Sequence, residues 1–407
     1  MLTGAACPVC HTASTVEFLH RENVPVHQHS LLSSRQAARS LTRGVLGMRV
    51  CEGCGFVFNS QFDPTLLDYG AAYDNTQSCS PAFDRYLDET VRHLIHERDV
   101  QGSRIVEVGC GKGTFLRKLV ADPTADNRGV GFDPSYLGAE NEFDGRLQFI
   151  TRFFDGAGLT LAPNVVLCRH VIEHVERPVE FLQTIAAALR ATGSTSARVF
   201  FETPCIEWIL RNQVVWDFFY EHCSLFSAAS LAATFRRAGF DVRQVTHLFG
   251  GQYLWLEANW TRDVQQQAGT AGSAAEPGLV PELAAQFVAA ESAQLAAWTE
   301  QAGRLRRQGR VALWGGGAKG VTFANLVDPA AELISAVVDV NPQKQGKFLP
   351  GTGHPLIAPA ELDSLGISSA LVLNSNYINE IRATLCQAGS SVTAIDLMAQ
   401  IECQSLS

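Results

Sequence analysis

Twice in this chain an apolar run ends in a cluster of glycines and then resumes as an amphipathic one. The first, RIVEVGCGKGTFLRKLV from Arg104 to Val120, reads as a buried strand over Ile105 to Val108 and a turn carrying Gly109, Gly111 and Gly113. A helix follows, with apolar residues at 115, 116, 119 and 120 on one face. The second, RVALWGGGAKGVTFANLV from Arg310 to Val327, repeats the plan with Gly315, Gly317 and Gly320. Glycine lets backbone come close to a ligand, and the helix that follows offers unpaired amides at its first turn. Two such units call for two doubly wound α/β domains.

Length agrees. The 407 residues exceed one compact core, and at about 150 residues per domain they suggest two or three domains. An apolar fraction of 46% and a charged fraction of 18% are ordinary for a globular chain. The net charge of −9 supplies no positive field for a nucleic acid polymer or an anionic membrane, so an anionic ligand would need a local pocket. The opening MLTGAACPVC carries no secretory signal. No apolar run approaches the roughly 20 residues that span a bilayer, and a soluble, cytoplasmic chain is expected. The 11 cysteines, odd in number and scattered, do not suit a small secreted disulfide framework.

Four of those cysteines stand apart. Cys7-Pro-Val-Cys10 and Cys51-Glu-Gly-Cys54 are paired CxxC turns, which together can close a tetrahedral zinc site of the structural kind. The segment between them is longer than in a usual zinc ribbon; a redox CxxC or free thiols are the lesser readings. His11, His20, His27 and His29 lie nearby, but four thiolates leave no open position for catalysis. The aromatic stretch FNSQFDPTLLDYGAAYDNTQSCSPAFDRY then leads onward, with Tyr69, Tyr73 and Tyr86 as candidate lid contacts. Packing with a wet hydroxyl is the commoner role for such tyrosines.

After the first glycine turn, RGVGFDPS reads as a strand closing on Asp133, RLQFIT runs toward Phe153, Phe154 and Asp155, and NVVLC ends at RHVIEHVERP. Glu107 and Asp133 thus sit at adjacent strand ends, the second placed to hold ribose hydroxyls. His170 and His174 are spaced as an (i, i+4) pair with Glu173 between them. HVIEH is not the zincin HExxH, so a structural or cofactor-adjacent role is expected over a metal site. Arg262 to Gly278 is polar and small, and reads as a linker. In the second unit, GxGxxG with Asp339 about 20 residues on is a dinucleotide-binding fingerprint, which makes a hydride-transfer enzyme a rival reading. Lys319 inside that turn, and the lack of a hydride-site motif, count against it.

The ExGxGxG turn, the acidic strand end and RHVIEH together resemble the class I methyltransferases that use S-adenosylmethionine. The whole chain adds the CxxC/CxxC head, YEH within WDFFYEHCSLFS (Trp216 to Ser227), GGQYLWLEA, and the tail GGGAKG…VVDVNPQKQGKFLPGT…NSN. It thereby resembles the three-domain, zinc-containing C-methyltransferases of nucleotide-linked keto-deoxysugars in antibiotic pathways. That resemblance implies an α/β chain: a zinc module over 1–80, a Rossmann-like methyltransferase domain over 81–262, and a second Rossmann-like domain over 263–407 that binds no NAD. It places Gly109, Gly111 and Gly113, with Glu107, under the methionine moiety, Asp133 on the ribose, Phe154 or Asp155 beside the adenine, and Arg169 and His170 near the sulfonium. Tyr73, Lys319, Asp339 and Asn376 are the expected acceptor contacts.

The same resemblance assigns His222 as the base, Glu221 as its partner and a nearby tyrosine as hydroxyl donor. Carbon attacks a sulfonium methyl only after its α-proton is removed, and histidine is suited to that step near neutrality. The apolar surroundings would keep its ring neutral. The family tyrosine falls at Phe219, with Tyr220 one place later. That shift keeps O- or N-methylation of another small molecule as the alternative. The oligomeric state is open, and a monomer is compatible with the sequence.

Overall fold

The computed structural model describes residues 5–67, 79–159, 161–262 and 276–400. Tyr69, Tyr73 and most of the expected linker lie outside the described residues.

The chain opens on an antiparallel sheet of β1 (Thr15–Pro25), β2 (Arg43–Cys51) and β3 (Val57–Asn59). Along β1 buried and exposed positions alternate imperfectly, because register shifts interrupt its pairing with β2 between Glu17 and Leu19 and again between Arg21 and Val24. The short helix α1 (Arg35–Arg39) bridges β1 and β2, capped by the Ser34 hydroxyl accepting from Ala37 N.

The central unit begins with α2 (Pro81–Arg92), started by the Ser80 cap and by Pro81 in the first turn. Its strands are β4 (Arg104–Val108), β5 (Arg128–Phe132), the two-residue edge β6 (Asn141–Glu142), β7 (Leu147–Ile150), β8 (Val165–Arg169) and β9 (Ser196–Pro204). After these, β10 (Ser224–Leu225) departs to pair with β3, while β11 (Asp241–Leu248) and β12 (Tyr253–Thr261) return as an antiparallel hairpin. The sheet order is β11-β12-β9-β8-β4-β5-β7-β6, parallel through its middle, with β12 antiparallel to β9. This is the class I methyltransferase arrangement expected from the sequence. Helices α3 (Thr114–Ala121), α4 (Pro178–Ala191), α5 (Ile206–Arg211) and α6 (Ala228–Arg237) connect the strands.

The 29-residue α7 (Val280–Gln308) leads into an all-parallel sheet of β13 (Arg310–Trp314), β14 (Ile334–Val338), β15 (Leu356–Ile357), β16 (Ile367–Val372) and β17 (Thr393–Asp396), in the order β15-β14-β13-β16-β17. With α8 (Ala318–Val327) and α9 (Ile378–Gln387) as crossovers, it has the 3-2-1-4-5 strand order of a doubly wound sheet without its sixth strand. Among the described residues no helix is long and apolar enough to cross a membrane.

The three units share their apolar interior. One buried cluster joins Leu19 and Met48 of the first sheet, Trp216 and Phe218 of the WDFFYEHCSLFS segment, Phe287 and Trp298 of α7, and Leu313 of β13. Trp216 meets the rings of Trp298 and Phe323 edge-on at 5.9 and 5.4 Å, and Phe218 meets Phe18 and Phe287 at 5.9 and 5.1 Å. Further along, Phe226 packs on Phe56 at 5.1 Å. The aromatic richness of this segment is explained by its position as a wedge among all three units.

Candidate active site

At the C-terminal end of β4 the chain turns sharply. Gly109 N and Cys110 N both donate to Phe132 O, so the glycine turn is tied to the end of β5. Gly111 takes φ +54°, and no atom lies within 4 Å of where its side chain would begin; the turn opens on free space there. Asp133, directly after β5, accepts from Gly111 N at 2.8 Å through one oxygen, and from Ser135 N and Oγ at 2.8 and 2.7 Å through the other. Glu107 is buried, which pushes its carboxyl up to about 8, and its Oε2 has no hydrogen-bond partner. Arg169 Nη2, at the end of β8, is another buried atom without a hydrogen-bond partner. A crevice at parallel strand ends, with an open glycine turn and unsatisfied buried polar atoms around it, fits the polar ends of S-adenosylmethionine. Phe154 packs edge-on against Phe132 at 5.1 Å, beside Asp133. Asp155 turns outward instead, accepting from Ala157 N at 2.9 Å and pairing with Arg152 at 3.4 Å.

The organiser of this end is a residue the sequence reading missed. Glu202, fully buried near the end of β9, accepts from Arg169 Nε at 2.8 Å and from the Tyr86 hydroxyl at 2.9 Å, and pairs with His170 Nε2 at 2.9 Å. Burial alone would raise its carboxyl, but Arg169 and His170 hold it down to about 2. Burial likewise works against charge on His170, yet Glu202 and Glu173 outweigh it and lift the ring to about 9. The available signal was RVFFETP, an acid inside an otherwise apolar strand next to the end of β8. Tyr86 is therefore held to this network, with burial and Glu202 raising its phenol.

His170 and His174 do not form the helical pair that their spacing suggested. His170 sits at φ +54°, and only the single 3-10 turn Ile172–His174 follows, so the rings diverge. His170 faces Glu202, whereas His174 meets His222 edge-on with centroids 4.9 Å apart. His222 is also met edge-on by Phe219 at 4.8 Å. Burial, with His174, His170, His29 and Lys319 nearby, holds the His222 ring well below the ordinary histidine range. Its Nδ1 is buried and has no hydrogen-bond partner.

The two residues before His222 point elsewhere, against expectation. Glu221 is buried, and its Oε1 accepts from Gln28 N at 3.1 Å and pairs with His27 Nδ1 at 3.2 Å. The Tyr220 hydroxyl accepts from Asp63 N at 2.8 Å, donates to Asp63 O at 3.3 Å, and its ring packs on Phe62. Tyr220 and Glu221 both fasten the first unit while His222 faces His174, so adjacency in sequence did not become adjacency at the site.

The expected acceptor contacts sit at the junction with the third unit. Lys319, at the start of α8, pairs with Asp217 and lies 5.6 Å from the centre of the Trp208 ring. Asp339 accepts from Gly316 N at 2.9 Å and Asn341 N at 2.8 Å, and Asn376 donates to Phe249 O at 2.9 Å. The two glycine turns are thus braced alike, by one aspartate accepting from one glycine amide. They differ above the turn: His29 Cε1 lies 3.9 Å from where a side chain at Gly317 would begin. At Gly320 a side chain would strike Gly315 O, so that glycine serves close packing. Tyr73 lies outside the described residues.

The four cysteines converge as their spacing requires. Cys7 and Cys54 sulfurs lie 3.7 Å apart, Cys10 and Cys51 3.4 Å, and all four fall within 4.8 Å of one another. Tetrahedral zinc with bonds of about 2.3 Å would put sulfurs about 3.8 Å apart. Val9 N and Cys10 N approach Cys7 Sγ at 3.4 and 3.5 Å, as donors to a thiolate do.

The chain is similar to known methyltransferases over two stretches. Residues 83–245 match the methyltransferase domain family, and residues 284–394 match the C-methyltransferase C-terminal domain family. The C-methyltransferase NovU of Streptomyces niveus is 27% identical over 293 residues, covering 69% of this chain and 68% of NovU. A mitochondrial ubiquinone biosynthesis O-methyltransferase of Schizosaccharomyces pombe is 29% identical over 98 residues, 23% of this chain; the match spans 36% of that relative's length. Among solved structures, the Burkholderia thailandensis 1,6-didemethyltoxoflavin-N1-methyltransferase with S-adenosylhomocysteine is 13% identical. It covers 44% of this chain and 80% of its own, with a TM-score of 0.34. The Synechocystis magnesium protoporphyrin IX methyltransferase is 17% identical, covering 44% and 84%, with a TM-score of 0.33. The chain is an S-adenosylmethionine-dependent methyltransferase, carrying a methyltransferase domain followed by a C-methyltransferase C-terminal domain.

Proposed function

We propose that the enzyme methylates the carbon next to the ketone of a nucleotide-linked deoxysugar, with His222 as the base. The observation that carries this reading is the half-buried His222 ring: its surroundings disfavour charge on it, and its Nδ1 is buried without a hydrogen-bond partner. A neutral imidazole keeps a lone pair on one of its two nitrogens, and that lone pair can accept a proton. The match of residues 284–394 to the C-methyltransferase C-terminal domain, and the name of NovU, support carbon as the attacking atom. The sequence resemblance supports the nucleotide sugar.

S-adenosylmethionine supplies the methyl group. The chain's own residues do the rest: the glycine turn and Asp133 receive the cofactor's polar parts, and Glu202 fixes Arg169 and His170 at the reacting end. The ring of His222 takes the α-proton, and Phe219 and His174 hold that ring edge-on from two sides. The acceptor lies between this ring and the start of α8, where Lys319 belongs to the wall. The four-cysteine cluster holds a structural zinc that folds the first unit and takes no part in the chemistry.

A second reading is favoured by one observation. The Tyr220 hydroxyl is engaged by Asp63, and Phe219 has none, so this segment offers His222 no phenol to stabilise an enolate oxygen. Transfer to oxygen or nitrogen would need no such donor.

The test is deuterium exchange at the carbon next to the ketone of a nucleotide-linked keto-deoxysugar, in D2O, with S-adenosylhomocysteine bound. Wild type should wash deuterium in; His222→Ala should not, while retaining S-adenosylmethionine binding by calorimetry. Exchange at the wild-type rate in the variant, or a methyl located on oxygen or nitrogen by mass spectrometry, would overturn the proposal.

A further inference from the structure

We propose that Glu173, His174 and His222 form a second divalent-cation site, distinct from the four-cysteine cluster, and that a cation held there blocks His222 as a base. The blocking part rests on the role just proposed for His222; the binding part does not.

One ligand atom from each of the three residues lies within 4.8 Å of the others. Closing them onto an ion with bonds of about 2.0 to 2.2 Å needs side-chain movement of about 1 Å. The loops that carry them are tied together. Ser224 Oγ donates to Val175 O at 2.7 Å, and Cys223 Sγ approaches Glu173 O at 3.7 Å, so the 3-10 turn bearing Glu173 and His174 and the segment bearing His222 move as one piece. The carboxylate is oriented from behind, because Glu173 is fully buried and its Oε2 accepts from Thr203 Oγ1 at 3.0 Å. Outer bonds of this kind fix a ligating carboxylate. The buried Nδ1 of His222 is without a hydrogen-bond partner, as a ligand atom awaiting an ion would be.

The donor set decides the class of ion. Two imidazoles and one carboxylate suit zinc, cobalt, nickel or ferrous iron, and are a poor set for magnesium or calcium, which prefer oxygen. Three protein ligands leave a position open, unlike the closed cysteine cluster. A lone pair bound to a cation cannot accept a proton, so occupancy and proton removal by His222 exclude each other.

The experiment titrates Zn2+ calorimetrically into the full-length protein already carrying one tightly held zinc, and measures deuterium wash-in on the same samples. One further equivalent is expected, with exchange lost in proportion to occupancy and restored by a chelator. Proton–nitrogen spectra of the histidine rings should show His174 and His222 shifting on saturation, with a smaller shift at His170, whose Nδ1 lies 3.4 Å from Glu173 Oε1, while the remaining rings stay put. His174→Ala should weaken the further equivalent by roughly tenfold or more. No further equivalent, or shifts confined to other histidines, overturns the site. If His222→Ala still abolishes exchange in that case, the base reading stands alone. A further equivalent that leaves exchange unaffected or speeds it overturns the block, and with it the base assignment, while keeping the site.

Discussion

Glu221 Oε1 lies 3.2 Å from His27 Nδ1, joining residues 194 positions apart across the boundary between the first sheet and the segment that carries His222. The carboxylate beside the candidate base is therefore committed to fastening the first unit. Glu221→Ala is expected to leave Gln28 N and the His27 ring without their acceptor, at a cost of about 1–3 kcal/mol. The melting temperature should fall, while deuterium exchange at the acceptor carbon persists below the new melting point. Loss of exchange in a variant that remains folded and binds S-adenosylmethionine would return Glu221 to the chemistry.

What was legible in the sequence is what short segments encode. The strand–glycine–helix turns, the acids at the ends of β4 and β5 and the two CxxC turns are all local patterns, and the structure places each as its spacing implies. What was not legible depends on contacts between distant positions. Glu202 organises the cofactor end only because β9 lies beside β8 and Tyr86 arrives from α2. His170 and His174 separate because His170 adopts a left-handed backbone, which the spacing of the two residues does not reveal. Tyr220 and Glu221 fasten the first unit while His222 turns to His174, because the segment that carries them is irregular. A regular element would have sent alternate side chains the same way.

Emptying the proposed zinc site should reach the candidate active site. The cysteine cluster anchors the start and end of the β1–β2 pair, β3 pairs with β10 through Val57 and Leu225, and His222 stands two residues before β10. Cys51→Ser, or stripping with a chelator, is expected to release one zinc per chain and lower the melting temperature. Deuterium exchange should be lost although Glu107, Asp133 and Glu202 are untouched. Metal analysis combined with calorimetry of S-adenosylmethionine binding checks this. Full exchange in a zinc-free chain would disconnect the cluster from the site.

Acid should loosen the third unit through Asp328. Its carboxylate accepts from the amides of Glu332, Leu333 and Ile334 at 2.8 to 3.0 Å and pairs with His354 Nε2 at 3.1 Å, and both side chains are buried. Burial acts to raise the carboxyl, but His354 and the amides prevail and hold it below its ordinary range. A carboxylate lowered on folding contributes stability that is complete above its unfolded value and lost as pH falls through its folded one. Urea unfolding of the wild type should therefore weaken steadily below about pH 4. Asp328→Asn should be less stable at neutral pH, with a shallower decline in acid. An unchanged slope would assign the acid sensitivity to other carboxylates.

Trp216 tests whether the three units fold as one. Its ring is fully buried against Trp298 of α7 and Phe323 of α8, in a core cluster that also takes in side chains of the first sheet, so truncation opens a cavity inside the shared core. Trp216→Ala is expected to cost about 3–5 kcal/mol. The manner of loss is more informative than its size. If the shared core couples the units, the variant melts in a single transition at lower temperature, and the probes of each unit move together. These probes are zinc release for the first, bound S-adenosylmethionine for the second, and the far-ultraviolet signal of α7 to α9 for the third. If the units are independent, the variant splits into two transitions, with the wedge segment leaving first. A coincident shift would also explain why the candidate base sits here: a segment clamped by three units holds a side chain in place more firmly than a loop on one of them.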